Sequence, residues 1–222
     1  MKYKICTRCI MDTSDPEIEF DNNTVCNHCK KYEELAAELT IPSQDRKKIL
    51  QDIIHKIKMK GKNKKYDCII GVSGGADSTY VAYLVKEFGL RPLAVHLDNG
   101  WNSELAVSNI EQTLKRLNID LYTYIINWEE FKDLQLSFLK ASTPDLEIPT
   151  DYAIAALLYK TAIKNNISYL ILGTNITTEA ILPPRWSCGH GDWKYIKSVH
   201  NKYGSKKLRT FPHFNFLQWL LY

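Results

Sequence analysis

The chain has 222 residues, enough for one α/β domain and a small appendage. Its hydrophobic content of 45%, charged content of 24% and net charge of +4 are ordinary for a soluble globular protein. The first residues lack the apolar stretch of a secretory signal, and no apolar run approaches the roughly 20 residues that span a bilayer. These properties argue against a secreted or membrane-associated protein, and we expect a cytoplasmic one.

Four of the six cysteines form two short pairs near the N-terminus, Cys6-x-x-Cys9 and Cys26-x-x-Cys29, separated by sixteen residues. Each pair places two thiolates on one side of a tight bend, and two such bends can face each other around a tetrahedral ion. Disulfides are disfavoured in a reducing cytosol, and a redox pair or an iron–sulfur site is the remaining alternative. We predict a structural Zn²⁺ site in a module of residues 1–30, because four thiolates leave no open coordination position and so small a module needs the metal to fold.

Two helices are predicted to follow this module, His28–Leu39 and Ser43–Lys60, the second with an apolar face. Gly61 then opens the polar linker "GKNKK". We therefore predict connecting helices in residues 31–62 and a main domain in residues 63–222.

Beyond the linker, short apolar strands alternate with amphipathic helices. The predicted strands are Tyr66–Val72, Pro92–Leu97, Asp120–Ile126 and Ser168–Leu172. The predicted helices are Asp77–Phe88, Ser103–Leu117, Trp128–Lys140, Thr150–Asn165 and about Asp192–Tyr203. This alternation predicts an α/β fold, with right-handed βαβ crossovers and a parallel, Rossmann-like sheet that is covered on both faces. Ligands bind such sheets beyond the carboxyl ends of the strands, where the strand order reverses, so we expect a site in the loops after Val72, Leu97 and Leu172.

The loop after the first strand, Ser73-Gly74-Gly75-Ala76-Asp77-Ser78, allows three interpretations. The sequence G-x-S-x-G around Ser73 matches the nucleophile elbow of α/β hydrolases, but the strands that precede such an elbow are missing. A phosphate-binding P-loop would need a Gly-Lys pair that the loop lacks. The third interpretation is an anion cradle, in which backbone N–H groups, two serine hydroxyls and the positive end of the next helix converge. Such a cradle suits a pyrophosphate, and Asp77 would either cap the helix or hold Mg²⁺.

The sequence S-G-G-x-D-S after the first strand resembles the signature of the PP-loop ATP pyrophosphatases, which cleave ATP between its α and β phosphates. The resemblance implies that ATP and Mg²⁺ are bound, and that Ser73, Asp77 and Ser78 act in catalysis. It also implies nucleotide contacts from glycines of the same loop and from two later strand ends, "HLDNGW" and "LGTN" (Gly74, Gly75, Asp98, Asn99, Gly173, Thr174 and Asn175).

The segments "CTRCIMDTSDPEIEFDNNTVCNHC", "YDCIIGVSGGADSTYVAYLVKEFGLRPLAVHLDNGW" and "DWKYIKSVHNKYG" together resemble the N-acetyl sugar amidotransferases, which act in building acetamidino sugars of bacterial surface polysaccharides and flagellar glycans. The resemblance implies that the N-acetyl oxygen of a nucleotide sugar attacks the α-phosphorus of ATP and that ammonia then displaces AMP. It further implies a domain incomplete at its C-terminus, and Ala76 stands where lysine is frequent in that family.

The source of ammonia is expected to be a separate partner. Neither Cys68, inside a strand, nor Cys188, in Trp186-Ser187-Cys188-Gly189-His190, stands in a glutaminase elbow. The resemblance implies a separate glutaminase related to the histidine-pathway pair. Arg185 and His190 are our candidates for binding the acceptor, and three tryptophans are expected to stack on a sugar or a base or simply to pack (Trp101, Trp186 and Trp193).

Two alternatives stay open. The first is a PP-loop enzyme of tRNA thiolation, whose RNA would be held by the nine basic residues between Arg46 and Lys65 and the seven between Arg185 and Arg209. Such sulfur transfer commonly uses two site cysteines, but beyond the zinc ligands the chain has only Cys68, expected to be buried in a strand, and Cys188. A nucleic-acid substrate is therefore not expected. The second alternative is a catalytically impaired nucleotide-binding module.

Overall fold

A computed structural model describes residues 2–39, 43–179, 182–183, 191–214 and 218. The chain forms two compact units, one of Met1–Ile49 with Thr174–Cys188 and the other of Leu50–Gly173 with Gly189–Tyr222. The predicted division into residues 1–30, 31–62 and 63–222 remains a prediction. Among the described residues, no helix combines the length and the apolar character needed to cross a membrane.

The first unit contains the cysteine pairs and little regular structure. Two antiparallel bridges, Ile5 to Asp12 and Phe20 to Cys26, order its N-terminal part. Helix α1 spans Asn27–Leu39, and helix α7 is a single turn at Ile176–Glu179. The division between the units falls within helix α2, Ser43–Lys60.

The second unit is built on a four-stranded parallel sheet. Its strands are β1 Cys68–Gly71, β2 Pro92–Asp98, β3 Asp120–Ile125 and β4 Leu170–Ile171. Its further helices are α3 Ala76–Glu87, α4 Glu104–Leu117, α5 Trp128–Lys140, α6 Ile148–Lys164 and α8 Trp193–Tyr203. The strand order is β3-β2-β1-β4, so the order reverses between β1 and β4. The predicted α/β fold with a parallel sheet is confirmed.

Both faces of the sheet are covered, and residues of one strand alternate between two apolar clusters. Ile69 packs with residues of α5, α6 and α8, whereas Cys68 and Ile70 pack with residues of α2, α3 and α4. Successive side chains of a β-strand point to opposite faces of the sheet. Because both faces are covered, Cys68, Ile69 and Ile70 all pack in apolar clusters, which explains the continuous apolar run in the sequence.

The amino ends of β1 and β2 are joined by an ion pair. The Arg91 guanidinium donates to both carboxylate oxygens of Asp67, with Nη2 at 2.6 Å from Oδ1 and Nε at 3.1 Å from Oδ2. The same guanidinium donates to the carbonyl oxygens of Lys64 at 2.7 Å and Gly61 at 2.9 Å. The linker before β1 is thereby fixed to the end of the sheet that faces away from the loops at its carboxyl edge.

Two buried carboxylates of α5 hold the backbone of residues 205–211. Asp133 accepts hydrogen bonds from His200 Nε2, from the hydroxyl and N–H of Ser205, and from the N–H of Lys206. Glu130 Oε2 accepts from the backbone N–H groups of residues 209, 210 and 211. Burial opposes the ionisation of Asp133, but these donors outweigh it and lower its pKa well below the ordinary value.

Candidate functional site

The loop after β1 makes its turn at Gly74, against the start of α4. Gly74 has φ +77°, and a Cβ there would lie 2.3 Å from the carbonyl oxygen of Ala106, so no other residue fits. Asn109 Nδ2 donates to the carbonyl oxygen of Gly74 at 3.1 Å. These contacts fix the backbone of the loop and leave its N–H groups at the carboxyl end of β1.

Helix α3 begins at Ala76, and its N-cap residue is Gly75, which offers no side-chain cap. The Asp77 carboxylate, in the first turn, is exposed and has no hydrogen bond or ion pair in the part of the chain that the structure describes. Of the two interpretations of Asp77, helix capping is therefore not seen. The helix presents uncapped N–H groups and a free carboxylate, an arrangement that fits an anion together with a cation.

The two serines of the loop bond to each other. Their Oγ atoms are 3.1 Å apart, and Ser78 Oγ accepts from the N–H of Ser73 at 3.2 Å. Ser78 Oγ also donates to the carbonyl oxygen of Gly75 at 3.2 Å. The hydroxyls are thus held at the turn, where an anion could replace their mutual bond.

The end of β4 lies close to the same turn. A Cβ on Gly173 would be 2.8 Å from the carbonyl carbon of Asp77 and 2.9 Å from the nitrogen of Ser78. Gly173 is therefore required because the backbones at the end of β4 and the start of α3 approach closely, and this one residue of the predicted "LGTN" segment lies beside the loop. Thr174 and Asn175 belong to the other compact unit, where the Asn175 side chain accepts from the N–H and the hydroxyl of Thr177. Their contacts with a nucleotide remain a prediction.

The loop after β2 is folded by its own polar side chains. Asp98 Oδ1 accepts from the N–H of Gly100 at 3.0 Å and from Asn102 Nδ2 at 3.3 Å. Asn99 Oδ1 accepts from the N–H of Trp101 at 3.1 Å. Asp98 and Asn99 thus shape the loop, and Asn99 also lines the cavity described below.

His96 joins this loop to the end of β1, whereas the sequence left its role open between structural and catalytic. Its Nδ1 lies 2.9 Å from the carbonyl oxygen of Val72, and its Nε2 lies 3.4 Å from Asn102 Nδ2. Because a carbonyl oxygen only accepts, Nδ1 carries the proton and Nε2 accepts from Asn102. The buried imidazole therefore has a positioning role at the carboxyl ends of β1 and β2.

A cavity of about 280 Å³ opens at the carboxyl ends of β1, β2 and β4. Ser73, Ser78 and Gly173 line it, and Ile154, Leu157 and Leu158 of α6 give it an apolar wall. Apolar walls with a few placed polar groups are typical of small-molecule sites, and this volume is near the lower end of their range. The spacing of the three α6 residues marks one helix face, a signal that could have indicated the wall from sequence.

The sequence-predicted residues are brought together only in part. Six of them lie around one turn (Ser73, Gly74, Gly75, Asp77, Ser78 and Gly173). Asp98 is the last residue of β2, and Asn99 begins the loop after it. Arg185 and His190, the candidates for acceptor binding, lie outside the described residues, as do Trp186 and Cys188.

The four N-terminal cysteines form a cluster in the first unit. Their Sγ atoms lie within 4.8 Å of one another, with 3.9 Å between Cys6 and Cys29 and 3.6 Å between Cys9 and Cys26. Tetrahedral Zn²⁺–thiolate geometry places sulfurs about 3.8 Å apart, since each Zn–S bond is about 2.3 Å. Burial disfavours the Cys6 thiolate, but backbone N–H groups, among them those of Arg8 and Cys26, lower the pKa of Cys6 to about 6. The cluster is compatible with a zinc site.

His28, between the last two cysteines, is engaged elsewhere. Its Nε2 lies 2.6 Å from Asp15 Oδ2, and both side chains are buried. The ligand set of four cysteines without His28 remains a prediction.

Comparison with known proteins places the chain in a family. Residues 43–194, more than half of the chain and including the S-G-G-x-D-S loop, match the family model of NAD synthase. An uncharacterized protein of Methanocaldococcus jannaschii is 29% identical over 118 residues, which are 52% of this chain and 40% of that protein. The tRNA(Ile)-lysidine synthase of Chlamydia pneumoniae is 36% identical over 75 residues, which are 33% of this chain and 23% of that enzyme. The chain thus spans less than half the length of either curated relative.

Similar solved structures include two synthetases. The NH3-dependent NAD synthetase from Campylobacter jejuni is 21% identical with a TM-score of 0.46, and the match covers 70% of this chain and 72% of that one. The NMN synthetase from Francisella tularensis is 15% identical with a TM-score of 0.42, and the match covers 78% and 90%. Because the family model matches more than half of the chain, the chain belongs to the NAD synthase family, which is of the PP-loop ATP pyrophosphatase type.

Proposed function

We propose that the chain is an ATP-dependent amidotransferase that converts the N-acetyl group of a nucleotide sugar into an acetamidino group. The observation that carries the ATP-dependent step is the turn at Ser73–Ser78, where two hydroxyls, uncapped helix N–H groups and the free Asp77 carboxylate meet. Membership of a PP-loop ATP pyrophosphatase-type family supports cleavage between the α and β phosphates. The sugar as acceptor rests on the resemblance of the cysteine module and the later segments to the N-acetyl sugar amidotransferases.

The loop would bind the phosphates without a lysine. Backbone N–H groups from Ala76 onward and the positive end of α3 attract an anion, and the hydroxyls of Ser73 and Ser78 add donors. Asp77 would hold Mg²⁺, which neutralises phosphate charge when bound. The apolar wall of α6 would take the adenosine, since aromatic bases are favoured against aliphatic side chains.

The proposed reaction has two steps that balance. The N-acetyl oxygen forms a bond to the α-phosphorus, the bond to the β-phosphate oxygen breaks, and pyrophosphate leaves. Ammonia then adds to the imidate carbon and loses a proton, and the carbon–oxygen bond breaks to release AMP and the acetamidine. The former acetyl oxygen ends in AMP. The part of the protein is positioning and stabilisation of charge, and no covalent intermediate with a side chain is required.

The ammonia is proposed to come from a separate glutaminase. Cys68 is fully buried in β1, and burial, with the nearby Asp67, raises the pKa of its thiol to about 12. Such a thiol is a poor nucleophile. Arg185 and His190 remain proposed acceptor contacts, and cytoplasmic localisation and absence of membrane association remain part of the proposal.

The test is an incubation with ATP, Mg²⁺, ammonium and a panel of nucleotide-linked N-acetyl sugars. We expect AMP and pyrophosphate in equal amounts, and ¹⁸O in AMP when the acetyl oxygen is labelled. Ser73→Ala and Asp77→Asn should reduce turnover at least about 100-fold, the scale of an electrostatic contact in the transition state. Tyr83→Ala, on the exposed part of α3, is the matched control. ADP formation, or unlabelled AMP, would contradict the proposal.

A second candidate, a tRNA-modifying enzyme such as one of tRNA thiolation, is favoured by the match to tRNA(Ile)-lysidine synthase and by the basic clusters. Against it, the buried Cys68 is unsuited to carry sulfur. AMP formation that depends on tRNA and sulfide rather than on sugar would favour this candidate. ATP binding without turnover under either condition would favour an impaired nucleotide-binding module.

We also propose that the four cysteines bind structural Zn²⁺. Metal analysis should find one zinc per chain, and Cys26→Ser should lower that content. A chain that retains its fold and holds no metal after growth with zinc would contradict this proposal.

A further inference from the structure

The loop after β2 carries a tryptophan that is not buried. The Trp101 side chain is 65% exposed, although a tryptophan side chain is ordinarily well covered in a folded protein. Its chain neighbours Asn99 and Asn102 line the cavity at the carboxyl ends of the strands. An exposed indole beside a cavity is available to a ligand.

The Trp101 indole is held in place despite its exposure. Its Nε1 donates to Gln135 Oε1 at 2.9 Å, and its ring meets Trp128 edge to face, with centroids 5.6 Å apart and planes at 72°. Gly100, at φ +81°, lets the loop approach Trp128, since a Cβ there would lie 3.2 Å from that ring. A ligand that stacks on the indole would therefore not have to immobilise it, which lowers the entropic cost of binding.

We propose that Trp101, supported by Trp128 and Gln135, is the platform on which the pyranose ring of the N-acetyl sugar stacks. The assignment of a sugar rests on the proposed function. One face of a pyranose carries C–H groups, which suit the electron-rich face of an indole. The amides of Asn99 and Asn102 can exchange hydrogen bonds with the sugar hydroxyls.

The composition of the loop favours a sugar over RNA. A nucleobase also stacks on aromatic side chains, but RNA binding depends on basic groups that contact phosphates. Residues 99–103, Asn-Gly-Trp-Asn-Ser, contain no lysine or arginine. Neutral amides beside an indole match the hydroxyl groups and the uncharged ring of a sugar.

The test measures binding by calorimetry on the full chain, without ATP, using UDP-N-acetylglucosamine and UDP-N-acetylgalactosamine as probes and UDP as the reference. Trp101→Ala should raise the Kd of the better sugar probe about ten-fold or more, the scale seen when a stacked ring loses its aromatic partner. Trp101→Phe should bind with an intermediate Kd. Gln135→Ala should raise the Kd several-fold, whereas Gln135→Glu, which keeps an acceptor for the indole, should restore it.

The controls separate this role from a structural one. Tyr83→Ala removes another exposed aromatic side chain, and its Kd for the sugar probes should equal that of the wild type. An unchanged midpoint of thermal unfolding should show that Trp101→Ala is folded. Binding of UDP alone should be unaffected by Trp101→Ala.

Several results would overturn the platform. They are an unchanged Kd in Trp101→Ala, an equal loss of UDP binding, and failure of the wild type to bind either sugar probe. Loss of tRNA binding in Trp101→Ala, with sugar binding intact, would assign the indole to RNA instead. Failure of the proposed function is distinguishable. Sugar binding through Trp101 without AMP formation would refute the amidotransferase and keep the platform. Sugar-dependent AMP formation that is unchanged in Trp101→Ala would refute the platform and keep the amidotransferase.

Discussion

Gly173→Ala tests whether the end of β4 positions the phosphate-binding turn. The added Cβ would lie 2.8 Å from the carbonyl carbon of Asp77, 2.9 Å from the nitrogen of Ser78 and 3.0 Å from the carbonyl oxygen of Asp77. All three atoms belong to the backbone of the first turn of α3, so no side chain can rotate away. The substitution must therefore displace the helix start from the strand end.

The size of this displacement follows from the distances. An ordinary contact between carbon atoms is about 3.5 Å, so the backbones must separate by roughly 0.5–1 Å. Overpacking of this kind typically costs about 1–3 kcal/mol of folding stability. A displacement of about 1 Å near reacting groups can lower turnover about 100-fold. We expect Gly173→Ala to lower kcat for AMP formation by about 10- to 100-fold and to weaken ATP binding, with only a modest loss of stability.

The assay combines AMP formation with calorimetric ATP binding and thermal unfolding. Gly191→Ala is the control, because a Cβ at Gly191 meets no described atom within 4 Å. ATP binding provides a readout that does not depend on the identity of the acceptor. Wild-type ATP affinity and an unchanged unfolding midpoint in Gly173→Ala would refute the close approach of β4 to α3.

Three further substitutions or treatments test the rest of the molecule. Among the described residues, Arg91→Ala leaves the buried Asp67 with only a backbone donor, the N–H of residue 91. The free energy of unfolding in urea should therefore fall by about 1–3 kcal/mol, and an unchanged value would show that the pair is dispensable. Asp133 has a folded-state pKa below its unfolded value of about 3.9, so its stabilisation is present above that pH and is lost as the pH falls through and below it. Asp133→Asn should accordingly lower the thermal midpoint at pH 7 and make it less sensitive to acid between about pH 5 and 3, whereas parallel pH profiles of the two proteins would contradict this. Removal of metal with a chelator should unfold the cysteine module, seen as protease cleavage within residues 1–30 while the sheet domain stays resistant, and equal resistance with and without chelator would argue against a structural metal.

The order of strands and helices was predictable because it depends on local apolar periodicity. The ends of β2 and β3 were predicted to within one residue, but those of β1 and β4 were not, since a strand ends where its pairing ends. The first apolar run extends over Tyr66–Val72, but β1 comprises only Cys68–Gly71. Likewise β4 comprises only Leu170–Ile171 of the predicted Ser168–Leu172. Helix α6 starts at Ile148, two residues earlier than predicted, because Pro149 is compatible with the first turn of a helix.

The parts of the site that could be predicted are those whose chemistry lies in one short segment. The turn at Ser73–Ser78 needs glycines, hydroxyls and a helix start within six residues, and all of them stand next to one another in the chain. His96 could not be assigned in this way, because its partner Val72 lies 24 residues before it. Glu130 and Asp133 are spaced like acids on a solvated helix face, yet they are buried and bind backbone N–H groups more than 70 residues further on. Such pairings follow from topology and leave no local pattern.

The two aspartates that flank β1 show how the same side chain serves stability at one end of the sheet and binding at the other. Asp67, at the amino end, is buried and accepts from the N–H, Nε and Nη2 of Arg91, so its charge is fully compensated within the fold. Asp77, at the carboxyl end, is exposed and has no partner among the described residues. A solvated carboxylate in the first turn of a helix is mildly favourable through the helix dipole, and replacing it removes little from the folded state. A loss of turnover in Asp77→Asn would therefore come without a loss of stability. Loss of turnover with unchanged stability is the result expected if the Asp77 carboxylate binds a ligand and does not stabilise the fold.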